Sequence, residues 1–100
     1  MTDYEGMFIV KPDMDKDLKK KVLDAISAAI TKEGGTITDF AEWGKNRLAY
    51  KMKRHAEGLY ILSHFKLDPL KLDKVQKSYN LNENILKTLI ILQADTVKAS

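Results

Sequence analysis

The chain has 100 residues, 44% hydrophobic and 31% charged, the balance of one folded domain rather than of a disordered or membrane chain. No stretch approaches the roughly 18 consecutive apolar residues of a bilayer span, and the opening MTDYEG lacks the basic and apolar parts of a signal peptide, so a cytoplasmic domain over residues 1–100 is expected. With no cysteine, disulfides, thiolate nucleophiles and cysteine metal sites are excluded, and the net charge of +3 is set by one segment: Lys45, Arg47, Lys51, Lys53 and Arg54 lie together without an acid, leaving −2 on the remainder.

Residues 4–10, YEGMFIV, are aromatic and β-branched and end at Pro12, which reads as a first strand. Asp15 is an N-cap candidate for an amphipathic helix over about 15–33, with Leu18, Val22, Ala25, Ile26, Ala29 and Ile30 at spacings of three and four. Gly34 and Gly35 close it, since glycine takes the left-handed conformation without a Cβ penalty.

A second strand is expected from Thr36, interrupted at Gly44 by a bulge or bend, and continuing through Lys53. RHAEG reads as the hairpin connection, followed by a third strand from Leu59 to Leu67. Asp68 and Pro69 open a second helix with Leu72, Val75 and Tyr79 on one face, NLNEN breaks it, and Ile85 to Leu92 form the last strand. The order β-α-β-β-α-β is the ferredoxin-like arrangement, an α+β fold with a four-stranded antiparallel sheet, both helices on one face, and the first and third strands in the middle.

In the second strand Leu48, Tyr50 and Met52 alternate with Lys45, Arg47, Ala49, Lys51 and Lys53. The cations form a comb with a spacing of about 7 Å, near that of phosphates along one nucleic-acid strand. Lysines on an edge strand also block edge-to-edge aggregation, but five cations with no acid exceed that need. If Phe8, Val10, Ile61, Phe65, Ile90 and Leu92 face the helices, then Met7, Ile9, Tyr60, Leu62, Leu89 and Ile91 form an apolar patch on the bare face. The mostly polar tail Gln93 to Ser100 could cover only part of it, which favours a protein partner.

Catalytic signals are weak. His55 and His64 lie in a turn and a strand with no carboxylate pattern for a shared metal, and no phosphate-binding glycine loop or nucleophile elbow occurs. An acylphosphatase would need an amide cradle and an arginine after the first strand, where VKPDMD offers only Lys11 and a proline. An RNA-recognition motif would need stacking rings where EGLYILSHF has Leu59 and Ile61.

The segments YEGMFIVKPDMD, WGKNRLAYKMKRHAEGLY and YNLNENILKTLIIL resemble the small-subunit ribosomal protein six family of bacteria and organelles, in the same order over nearly all of the chain. The resemblance implies a non-catalytic ribosomal component without cofactor or metal, which pairs with small-subunit ribosomal protein eighteen and binds the central domain of small-subunit rRNA. Arg47, Leu48, Ala49 and Tyr50 match the family motif, whereas Asn46 and Lys51 stand where many members have arginine and proline. Tyr4 and Lys87 occupy positions that look like the family's RNA-facing surface, although Tyr4 reads equally as an aromatic closing the core.

The expected RNA contacts are therefore Lys45, Arg47, Lys51, Lys53, Arg54, Lys87 and Tyr4, and the expected partner contacts are Met7, Ile9, Tyr60, Leu62, Leu89 and Ile91. The alternative is an interaction module that dimerises with itself through the bare face.

Overall fold

In the computed structural model the elements run β1 (Thr2–Val10), α1 (Lys16–Lys32), β2 (Thr36–Met52), β3 (His55–Leu67), a 3-10 turn (Pro69–Lys71) leading into α2 (Leu72–Leu81), and β4 (Ile85–Leu92). It describes residues 1–52 and 54–92 and, within them, the side chains of all but residues 49–52. The expected order holds, and the sheet is β2-β3-β1-β4 with every neighbouring pair antiparallel.

Local chemistry explains the boundaries. The Asp15 Oδ1 atom accepts the Leu18 N–H at 2.8 Å, satisfying one of the free donors that open α1. At the other end Gly34, at φ 84°, lets the Gly35 N–H return to the Ile30 carbonyl at 2.9 Å. The second helix differs slightly from expectation. Asp68 caps Leu70 N–H at 3.0 Å, but Pro69–Lys71 winds as a 3-10 turn before the α-helix begins at Leu72.

The even-numbered residues of β1 point at the helices. Phe8 and Val10 are buried with Leu59, Ile61, Phe65 and Leu67 of β3, Val22, Ile26 and Ile30 of α1, and Val75 and Tyr79 of α2. Each large side chain so buried contributes roughly 1.5–3 kcal/mol. Phe8 meets Tyr79 edge-on at 5.0 Å, and the Tyr79 hydroxyl donates to the Ile26 carbonyl at 2.8 Å, which ties α2 to α1 across the core. Burial pushes the Tyr79 phenol above its ordinary range, so it remains a donor.

Two expectations about the third and last strands change. β3 begins at His55 rather than Leu59, because Glu57 and Gly58 stay in register with Arg47 and Asn46, and the expected RHAEG loop contracts to a turn at Arg54. Leu92, expected against the helices, is exposed where β4 ends at the sheet edge, although it pairs with Tyr4 as parity requires.

Candidate nucleic-acid interface and open sheet face

The register of β2 against β3 shifts at three places, the last between Arg47 and Met52, and the first two decide where the side chains up to Arg47 go. The first falls between Ile37, paired with Phe65, and Asp39, paired with His64; the second falls between Glu42, paired with Ile61, and Gly44, paired with Tyr60. Each extra residue turns all that follow to the opposite face. Thr38 is held by its hydroxyl donating to the His64 carbonyl at 2.9 Å, and Ser63 donates to the Asp39 carbonyl at 3.1 Å. Gly44, at φ 90°, supplies the backbone conformation of the second bulge, beside a Trp43 that is 60% exposed.

After the second bulge Lys45 pairs with Leu59 and Arg47 with Glu57. Leu59 belongs to the core, so these two cations stand on the helix side of the sheet. Leu48 goes the other way: its Cδ2 atom lies 3.4 Å from where a Cβ on Gly58 would stand, on the open face. The basic and apolar surfaces are thus on opposite sides of one hairpin.

Two cations of the basic segment face acids in space that they lack in sequence. Lys45 Nζ lies 3.5 Å from Asp13 Oδ1 in the β1–α1 connection, and Arg47 stands opposite Glu57 in the ladder. With Arg54, His55, Pro12 and Ala56, the residues Asp13, Lys45 and Glu57 line an open cleft of about 280 Å³. Arg54 forms the turn at φ 73° and is exposed. Of the other expected RNA contacts, the Lys51 side chain and all of Lys53 lie outside the described residues.

Tyr4 requires a correction. It is 5% exposed and its ring stacks on Phe65 at 5.6 Å on the helix-covered face, so burial removes it from the set of surface contacts. Lys87 is exposed but sits on the open face, paired across β4 and β1 with Ile9. It does not extend the comb of Lys45 and Arg47.

The open face carries cross-strand rows. Leu62, Met7 and Leu89 form one, and Tyr60, Ile9 and Lys87 the next. Leu89 is 56% and Ile91 41% exposed, while Met7, Tyr60 and Leu62 are half-buried. Ile9 is a second correction: it is 8% exposed because it lies over Gly58, whose missing side chain leaves the space it fills, and so presents little surface to a partner.

One cluster had no signature in the sequence. His64 Nδ1 lies 2.7 Å from Asp39 Oδ1 and Nε2 lies 3.5 Å from Glu5 Oε2, in the row that ends at Ile91. The hydrogen bond to Asp39, helped by the charges of Asp39 and Glu5, outweighs partial burial and raises the His64 pKa above 6.5. The two carboxylates sit at opposite ring nitrogens and do not converge. Among the described residues no group of three His, Asp or Glu side chains could hold a metal ion.

A four-stranded antiparallel sheet in the order β2-β3-β1-β4 with two helices on one face defines a ferredoxin-like domain. The model of the ribosomal protein S6 family matches residues 3–92, and the chain belongs to that family. Among its relatives, small ribosomal subunit protein bS6 of Caldanaerobacter subterraneus is 34% identical over 95% of this chain and all of its own length. Its counterpart in Thermoanaerobacter pseudethanolicus is 35% identical over 91% of this chain and 96% of its own. The crystal structure of 30S ribosomal protein S6 from Thermotoga maritima superposes with a TM-score of 0.85 at 23% identity, covering 98% of this chain and 92% of that one, which bears out the expected fold.

Proposed function

We propose that this chain is a structural, non-catalytic constituent of the small ribosomal subunit in the cytoplasm. In this reading it acts as a single domain that binds the central domain of small-subunit rRNA together with small-subunit ribosomal protein eighteen. Family membership supports the ribosomal assignment. The observation that carries the two-partner reading is the division of the β2–β3 hairpin: Lys45 and Arg47 stand on the helix side, while Leu48 lies on the side that bears Leu62, Leu89 and Ile91. One body can then hold RNA by its cations and a protein by its open sheet. No described helix is long and apolar enough to cross a membrane.

The electrostatic contribution positions the protein without reading sequence, so specificity comes from RNA shape and from the joint surface with the partner. The cations that do this are Lys45, Arg47 and Arg54 among the described side chains, with Lys51 and Lys53 continuing the basic run and Lys87 serving an RNA strand that rounds the β4 edge.

The test is binding of the purified protein to a central-domain rRNA fragment across a salt series, with and without the cognate protein eighteen. Tight, salt-sensitive binding only with the partner is expected, and reversal of charge at Arg47 and Lys51 should flatten the slope of log affinity against log salt. Binding in neither condition, together with a concentration-dependent homodimer, would favour the self-associating module that the exposed Leu89 and Ile91 also suit.

A further inference from the structure

His64 belongs to the open face but to neither use made of it above. Its imidazole is clasped between Asp39 of β2 and Glu5 of β1, at 2.7 and 3.5 Å. With the imidazole protonated the three groups carry a net −1; without the proton they carry −2. Glu5 pairs directly with Ile91 across β1 and β4, and Met7 pairs with Leu89 one row away, about 7 Å along the strand. A partner that covers Leu89 and Ile91 therefore also covers Glu5 and His64, whose side chains are already only 18% and 24% exposed.

Resting on the partner reading of this face, we propose that His64 is the proton-dependent element of docking there: the partner binds with His64 as imidazolium and loses affinity when that proton leaves. Taking two carboxylates out of water with one cation between them costs less than taking them out alone. The other charged groups on this side do not cancel the effect. Asp3 of β1 and Lys66 of β3 pair with each other in the next row, β4 contributes only Ile91 to the His64 row, and Lys87 is two rows away.

The sign follows by linkage. If docking favours the protonated form, the His64 pKa rises further in the complex, so affinity is greatest below the pKa of the free protein and falls as pH rises through that of the complex. A rise of about one unit on docking corresponds to about a tenfold change in Kd across the titration.

The experiment measures Kd for the cognate protein eighteen from about pH 6 to about pH 9, for the native chain, His64→Gln, Asp39→Asn and Leu89→Asp. Folding is checked by circular dichroism at each pH, and the His64 ring is followed by NMR with and without partner. The expected result is roughly tenfold weakening with rising pH for the native chain, a flat profile for His64→Gln, and a profile moved to lower pH for Asp39→Asn. An equal slope in the native chain and His64→Gln overturns the proposal while leaving the partner reading intact, as does a His64 NMR midpoint that the partner does not move. No binding at any pH overturns the partner reading, and the proposal with it. Binding that Leu89→Asp does not weaken places the partner elsewhere and likewise overturns both.

Discussion

Ile9 of β1 lies over Gly58 of β3, with its Cγ2 methyl in the volume that a side chain on Gly58 would occupy. The contact brings the middle of the open face close to the backbone, so the basic hairpin is seated against the central strand by an absence of atoms. Gly58→Ala should therefore force Ile9 aside and cost about 1–3 kcal/mol in stability. Urea denaturation checks this, and an unchanged midpoint would show that Ile9 moves without cost.

Thr88 of β4 pairs with Phe8 on the helix-covered side, and its Oγ1 atom is buried with no hydrogen-bond partner among the described residues. A buried hydroxyl without a partner costs on the order of 1–3 kcal/mol, so Thr88→Val, of nearly the same shape, should stabilise the fold by about 1 kcal/mol. Thermal unfolding measures it. A loss of stability would reveal a partner for the hydroxyl.

Asp13 lies 3.5 Å from Lys45 across an exposed gap and competes with any phosphate for that cation. Exposed pairs are worth roughly 0.2–1 kcal/mol, so Asp13→Asn should tighten assembly on the rRNA fragment by about one and a half- to fivefold at low salt. The gain should fade as salt screens both interactions. A variant that binds no better would place Lys45 away from the RNA.

The free protein should show a pH dependence of stability from His64 before any partner is added. Its folded pKa lies above 6.5, so its contribution is fully present below that ordinary value and is lost as pH rises through the folded one. The difference in unfolding free energy between the native chain and His64→Gln should shrink with rising pH over that window. A constant difference would mean that Asp39 and Glu5 do not hold the proton on His64.

Tyr79 donates to the Ile26 carbonyl from within the core, and Tyr79→Phe would leave that carbonyl without this donor. Because Ile26 lies inside α1 and its carbonyl also takes part in the helical ladder, the expected cost is that of one hydrogen bond, about 0.5–1.5 kcal/mol by chemical denaturation. A neutral result would show that the hydroxyl adds nothing to the helical bond that Ile26 O already accepts.

What the sequence determined by itself was local. Asp15 and Gly34 set the ends of α1, the aromatic and β-branched runs YEGMFIV and LYILSHFKL marked two central strands, and the element order then left few sheet topologies open. The apolar open face was legible too, because both parities of β1 and β4 carry aliphatic side chains, although Tyr4 and Ile9 were misjudged where burial depends on a neighbouring strand. The tertiary structure alone decided the side of the sheet on which each β2 residue stands. The extra residues at Thr38 and Trp43 each reverse the alternation, the first turning Asp39 toward His64 and the second sending Lys45 and Arg47 to the helix side. Gly44 signalled the second bulge in the sequence, but the first, at Thr38, carries no such residue, and the side to which each turns the chain is an offset between two paired strands. For the same reason Asp39, His64 and Glu5, from three different strands, gave no signal as a spacing: the hydrogen-bonded ladder brought them together.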